Sequence, residues 1–179
     1  YLVVIATLVS NEFVLTINPA LPVKNFKEFI AFSRISNPTL NYASAGNGSQ
    51  HHLTMEMFKA RAGLKLLHVP YKGGTAAATA TVSGEVAAVF AGSSSAPQIR
   101  AGRLRALAVA SATRSKTFPE LPTIAEFYPG FSNSIWLAMC GPAALPEPIV
   151  TRLRTEVNKL LAQPDTRERF SNAGALEPF

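Results

Sequence analysis

Three times between Leu40 and Ala110 the chain passes from a short apolar run into a turn of small residues and then into a helical pattern. Leu40 to Ser44 leads into Gly46-Asn47-Gly48, Leu64 to Pro70 into Tyr71-Lys72-Gly73-Gly74, and Val86 to Phe90 into Gly92-Ser93-Ser94-Ser95. A further apolar run, Leu104 to Ala110, closes the series. Repeated strand–turn–helix units predict parallel strands with helices packed across them, an α/β class. In such a sheet the turns collect outside the carboxyl edge of the strands, where ligands bind.

The flanking segments are read from periodicity and punctuation. Val3 to Val9 and Phe13 to Ile17 are rich in branched residues and predict two extended segments separated by Ser10-Asn11-Glu12. Phe26, Phe29, Ile30 and Ser33 have helical spacing, with Ser36-Asn37-Pro38 as the stop. Leu53, Met57, Ala60 and Leu64 predict the apolar stripe of the helix after the first turn, with Asn47 and Gln50 as its capping box. Thr75 is the expected cap of the alanine-rich helix. Beyond a proline-rich stretch from Pro119 to Pro129, Asn133 to Cys140 reads as extended, and Val150, Leu153, Val157, Leu160 and Leu161 share one helix face. Met55, Met57 and the single Cys140 are expected to pack as apolar residues.

With 179 residues, 47% of them hydrophobic, the chain can bury a core in one domain or two small lobes. Its mean hydropathy of +0.16 argues against disorder. The formal charge of +6 favours anionic partners without choosing among them. Arg100, Arg103, Arg105, Arg114 and Lys116 crowd one region with no aromatic residue between Arg100 and Lys116, which predicts a solvated basic face instead of a nucleic-acid platform. A lone cysteine excludes an intrachain disulfide. Tyr1 to Val9 is too short to span a bilayer and lacks the basic flank of a signal peptide. Without an initiator methionine, the chain reads as a mature or trimmed fragment.

The turns carry the chemistry. Glycine-rich backbone at a helix N-terminus presents N–H groups to an anion. The first turn adds the Ser44 and Ser49 hydroxyls, the second adds Tyr71 and Lys72 to the Gly73 and Gly74 backbone, and the third adds Ser93, Ser94 and Ser95. A dinucleotide fingerprint fails because His51 stands where its third glycine belongs, and no Gly-Lys-Ser or Gly-Lys-Thr follows a glycine loop. His51 and His52 are adjacent and His68 is on a strand, so no histidine pair has helical zinc spacing. No serine has a nucleophile-elbow context, and no paired carboxylates mark an acid–base site. Two readings stay open: a binding protein for a small carboxylate, and an α/β enzyme using His52 or Tyr71 on a carboxylate substrate.

The segments Tyr42-Ala-Ser-Ala-Gly-Asn-Gly-Ser-Gln-His-His-Leu53, His68-Val-Pro-Tyr-Lys-Gly-Gly74 and Gly102-Arg-Leu-Arg-Ala-Leu-Ala-Val109 closely resemble the tripartite tricarboxylate transporter substrate-binding receptors, the Bug family. Arg114 with Pro119-Glu-Leu-Pro-Thr-Ile-Ala-Glu126, Trp136, and Pro142 with Pro146 extend the likeness in consistent order. The resemblance implies a type II periplasmic-binding-protein-like α/β fold, with two lobes of parallel-rich sheets flanked by helices. It implies a periplasmic receptor, made with a signal peptide, that closes on a small mono-, di- or tricarboxylate and delivers it to a membrane permease. No catalysis, cofactor, metal or nucleic-acid partner follows from it. The positions matched to ligand contact are Ser44, Ala45, Gly46, Gly48, Ser49, His52, Tyr71, Gly73, Gly74, Thr75, Ser93 and Ser94. The implied division is 1–24 as part of a first lobe and crossover, 25–118 as the second lobe with the main carboxylate loops, and 119–179 returning to the first. Two departures stand out. Ala87 replaces the acidic or polar residue the family commonly has after Gly-x-Val, here Gly84-Glu-Val86, and against the family's upstream segment with its Pro-Gly-Gly loop and its tail beyond Phe179 the chain reads as a truncated receptor.

Overall fold

The structure, a computed structural model, describes residues 1–172 and 177–178, with side chains undescribed at 93, 171, 172, 177 and 178. It divides into two compact units, 12–133 and 1–11 with 134–179.

In the larger unit the elements are the second half of β1 (Leu2–Ile17), α1 (Phe26–Ile35), β2 (Asn41–Ser44), α2 (Gln50–Ala62), β3 (Leu67–Pro70), α3 (Gly74–Ser83), β4 (Ala88–Gly92), α4 (Ala96–Arg100) and β5 (Arg105–Val109). The sheet order is β3-β2-β4-β1-β5. β2 pairs parallel with β3 and with β4, as the repeated units predict. β1 enters between β4 and β5 and runs antiparallel to both, so the sheet is mixed. Its residues Phe13, Val14, Leu15 and Ile17 have no solvent exposure, which explains the continuous apolar run of a strand covered on both faces.

β1 is one strand of 16 residues, not two segments. The polar Ser10-Asn11-Glu12 stretch stays extended, and Glu12 is buried with the Ser115 hydroxyl donating to its carboxylate. Ser115 in turn accepts the backbone N–H groups of Thr117 and Phe118, both at 3.0 Å. The strand is therefore sustained by a partner about a hundred residues away in sequence, which no local pattern displays.

α1 buries Phe26, Phe29, Ile30 and Ser33, and Asn25 caps it by accepting Glu28 N–H at 3.0 Å. Phe26 and Phe58 lie 5.6 Å apart in an aromatic cluster that also holds Phe90, Phe127, Tyr128 and Phe131. That cluster sets the rotation of α2, whose buried residues are Thr54, Met55, Phe58 and Ala62. Leu53 and Met57, expected on the inner stripe, face outward. A large ring buries more area than a leucine or methionine, so Phe58 decides the face.

The smaller unit contains the first half of β1, β6 (Ser134–Pro142), α5 (Glu147–Ala162), α6 (Pro164–Asn172) and β7 (Glu177–Pro178). β6 and β7 both pair with β1. Arg154 donates to the Ile5 carbonyl at 2.9 Å, tying α5 to β1. Of the five residues expected on the inner face of α5, Val150 and Leu161 are buried while Leu153 and Leu160 are exposed. Trp136, Leu137 and Ile149 are also exposed, as is Cys140, which does not pack as a core residue.

Candidate functional site

Because β3, β2 and β4 are adjacent and parallel, the turns leaving Pro70, Ser44 and Gly92 stand side by side at one edge of the sheet. The first turn is built on a fully buried Ser44, whose Oγ accepts the Gly46 N–H at 3.1 Å and lies 2.6 Å from His68 Nε2. Gly46 and Gly48 adopt φ of +118° and +73°, conformations that disfavour any side chain. Ser49, not Asn47, is the N-cap of α2, and its hydroxyl accepts His52 N–H at 3.3 Å. The two left-handed glycines hold Asn47 outside the helix. The first N–H groups of α2, at Gln50 and His51, point beyond the reach of any helix carbonyl.

The second turn is fastened to the first. Tyr71 N–H donates to the Ser44 carbonyl at 2.9 Å. Gly73, with φ of +106°, is the N-cap of α3, so Thr75 lies inside the helix, exposed, and does not cap it. A Cβ on Gly74 would stand 2.8 Å from His51 Nε2, so this glycine admits the imidazole. The Tyr71 hydroxyl is shut off from solvent without a hydrogen-bond partner of good geometry; burial first, and then the Glu85 carboxylate, push its pKa up to about 12. The third turn is a 3-10 segment, Ser93–Ser95, leading directly into α4. Ser94 is exposed there and Ser95 buried, while the Ser93 side chain lies outside the described residues.

The adjacent histidines diverge. His51 sets its ring edge against Phe13, with centroids 4.7 Å apart, and burial lowers its pKa. His52 turns the other way and stacks on His68 at 4.0 Å with 10° between planes; His68 stacks in turn on Tyr42 at 5.0 Å. His52 Nδ1 accepts the Gly48 N–H at 3.1 Å, linking this stack to the first turn. Beneath it, Glu56 Oε1 accepts from the Tyr42 hydroxyl at 2.5 Å and from Lys59 at 2.6 Å. Partial burial acts to raise the Glu56 pKa, but those two hydrogen bonds, together with the Lys59 charge and nearby His52, hold the carboxyl low. Burial, followed by the nearby His52, lowers the His68 pKa.

His68 is the site residue that strand patterning overlooks. The local signal is the helical spacing of His52, Glu56 and Lys59; the register that sets His68 opposite Tyr42 is not written in any one segment. The expected basic face is also partly consumed. Arg105 donates to the Leu21 and Val23 carbonyls, and Arg114 forms a two-pronged pair with Glu126 at 2.8 and 2.9 Å. Among the described residues no group of three or more His, Cys, Asp or Glu side chains could hold a metal, and no helix is long and apolar enough to cross a membrane.

The fold that carries these turns has counterparts among known proteins. The family model for the tripartite tricarboxylate transporter family receptor matches residues 1–179. The chain belongs to this receptor family. The chain is 38% identical over 154 residues to the "UPF0065 protein in tcbD-tcbE intergenic region" of Pseudomonas sp. (strain P51), covering 84% of this chain and 46% of that protein. It is 35% identical over 164 residues to Protein BugT of Bordetella pertussis, covering 90% of this chain and 50% of BugT. The chain thus spans about half the length of these curated relatives. Among solved structures, R. palustris Rpa4515 with adipate superposes with a TM-score of 0.90 at 30% identity, over 99% of this chain and 60% of that one. MatC from Rhodopseudomonas palustris with bound malate gives 0.89 at 30%, over 98% and 60%. The chain accordingly has the periplasmic-binding-protein-like α/β fold of these structures, with mixed sheets flanked by helices.

Proposed function

We propose that the receptor is a periplasmic solute-binding protein that captures a small mono-, di- or tricarboxylate and presents it to a membrane permease of the tripartite tricarboxylate type, without covalent chemistry. The observation that carries this reading is the convergence of the Ser44–Ser49 and Tyr71–Thr75 turns at one sheet edge, tied by the Tyr71-to-Ser44 hydrogen bond. The presence of adipate and of malate in two similar structures supports the ligand class. In this reading Ala45, Gly46, Gly48 and Ser49 receive a carboxylate through backbone N–H groups and the Ser49 hydroxyl at the positive end of α2, and the fully buried Ser44 holds the turn from beneath. His52 orients the turn, and Tyr71, Gly73, Gly74 and Thr75 form the neighbouring wall. Ser93 and Ser94 approach from the end of β4.

The test is calorimetric titration of the receptor, expressed from its full reading frame, with adipate and malate. Gly48 has open space where a Cβ would stand, so Gly48→Val strains the backbone at φ of +73° without a steric collision. That strain is about 1–2 kcal/mol, enough to rearrange the turn while the fold survives. The expected outcome is loss of ligand-induced thermal stabilisation with an unchanged circular dichroism spectrum. Wild-type affinity in Gly48→Val would remove this turn from the site, and release of a chemically altered product would replace the receptor reading with an enzyme.

A further inference from the structure

The stacked histidines beside the first turn are bonded in a way that depends on a proton. His52 Nδ1 accepts the Gly48 N–H at 3.1 Å, so this nitrogen carries a lone pair and the ring's proton sits on Nε2. Nε2 faces Glu56 Oε1 at 3.9 Å. A second proton can enter only at Nδ1, where it meets the Gly48 N–H donor to donor. The hydrogen bond between ring and turn is then lost. Both groups become donors available to an anion, and the ring brings a positive charge to the first turn of α2.

The surroundings fix how many protons the pair can hold. α2 contributes Glu56 and, hydrogen-bonded to it at 2.6 Å, Lys59. β2 contributes Tyr42 and Ser44, and β3 contributes His68 itself. The following turn carries the exposed Lys72. With imidazole centroids 4.0 Å apart, two charged rings repel, while Glu56 stands close enough to offset one. His68 is the ring already held towards its neutral form, by burial and by His52. A neutral His68 remains beside Ser44 Oγ at 2.6 Å and keeps that hydroxyl in place.

The geometry points to proton-coupled capture: the receptor takes up a proton on the His52–His68 pair as a carboxylate settles on the Ser44–Ser49 turn, and binds it more tightly as pH falls. This rests on the reading of that turn as the carboxylate site. An anion there favours the charged imidazole, and by linkage the charged imidazole favours the anion to the same degree. Histidine titrates between about pH 5 and 8, so affinity for adipate or malate should rise about three- to tenfold from pH 8 to pH 6.

Calorimetry on the full-length receptor with adipate and with malate, at about pH 6, 7 and 8 in paired buffers of different ionisation enthalpy, reads the proton directly. The expected result is uptake of a fraction of a proton per ligand, with the rise in affinity. His52→Gln, whose amide oxygen can still accept Gly48 N–H, should lose the part of the proton uptake and of the pH dependence that His52 carries, and the exchange that remains in it is that of the ligand itself. On addition of adipate the His52 Nδ1 resonance, followed by NMR, should move from that of a bare acceptor towards that of a protonated nitrogen. Binding with buffer-independent heats and constant affinity overturns the proposal and leaves the carboxylate reading intact. A His52→Gln variant that retains the wild-type linkage also overturns it. Absence of carboxylate binding at every pH refutes both.

Discussion

Gly74→Ala is a small change with a computable consequence. The added Cβ would stand 2.8 Å from His51 Nε2 and 3.2 Å from Cε1. Ordinary contacts between such atoms begin near 3.5 Å, so the ring edge must retreat by roughly 0.7 Å. Its edge contact with the fully buried Phe13, at 4.7 Å between centroids, resists that movement. Losing the aromatic contact costs about 0.5–1.5 kcal/mol, and compressing the packing instead costs about 1–3 kcal/mol. The net penalty is therefore expected near 1–3 kcal/mol, or a fall in Tm of roughly 3–9 °C for a chain of this size. In a His51→Ala background the obstacle is gone. Alanine then exceeds glycine at a helical position by about 0.4–1 kcal/mol through the unfolded state, so the same substitution becomes stabilising. Chemical denaturation of the wild type, both single variants and the double variant yields the coupling, expected at about 1.5–4 kcal/mol. An equal cost for Gly74→Ala in both backgrounds would refute the steric account.

Two further outcomes follow from buried and capping groups. Burial raises the Glu12 pKa against the opposing Ser115 hydroxyl, so the folded state holds that proton more tightly than the unfolded chain. Its contribution to stability is complete below the unfolded carboxyl pKa and is lost as pH rises through the folded value; each tenfold weakening of the acid is worth about 1.4 kcal/mol. Glu12→Gln should therefore gain Tm relative to wild type between about pH 4 and pH 8, and a constant or shrinking difference would contradict the assignment. Ser49→Ala removes the cap that accepts His52 N–H and should cost about 1 kcal/mol, or roughly 2–4 °C in a thermal melt.

Features written in short-range periodicity are legible in the sequence. Phe26, Phe29, Ile30 and Ser33 declare one face of α1, and the three strand–turn–helix units declare parallel β2, β3 and β4. Long-range choices are not. α2 carries two overlapping apolar stripes, and only the aromatic cluster around Phe58 selects the one with Met55 over the one with Leu53 and Met57. The polar interruption in β1 is spanned because Ser115 reaches Glu12 from far along the chain. The site shows the same division. Glycines and serines mark the turns locally, whereas the Tyr42–His68 register that completes the histidine stack exists only once β2 and β3 have paired.

Trp136 is the sole tryptophan, and it lies on β6 in the smaller unit, half exposed to water. The larger unit has Tyr42, Tyr71 and Tyr128 but no indole. Emission excited at the red edge of the tryptophan band therefore comes from one unit alone, while near-ultraviolet dichroism from the tyrosines weights the other. The two halves of the chain carry separate optical reporters without any label, and noncoincident melting curves from those two signals would reveal an order of unfolding that a single probe averages away.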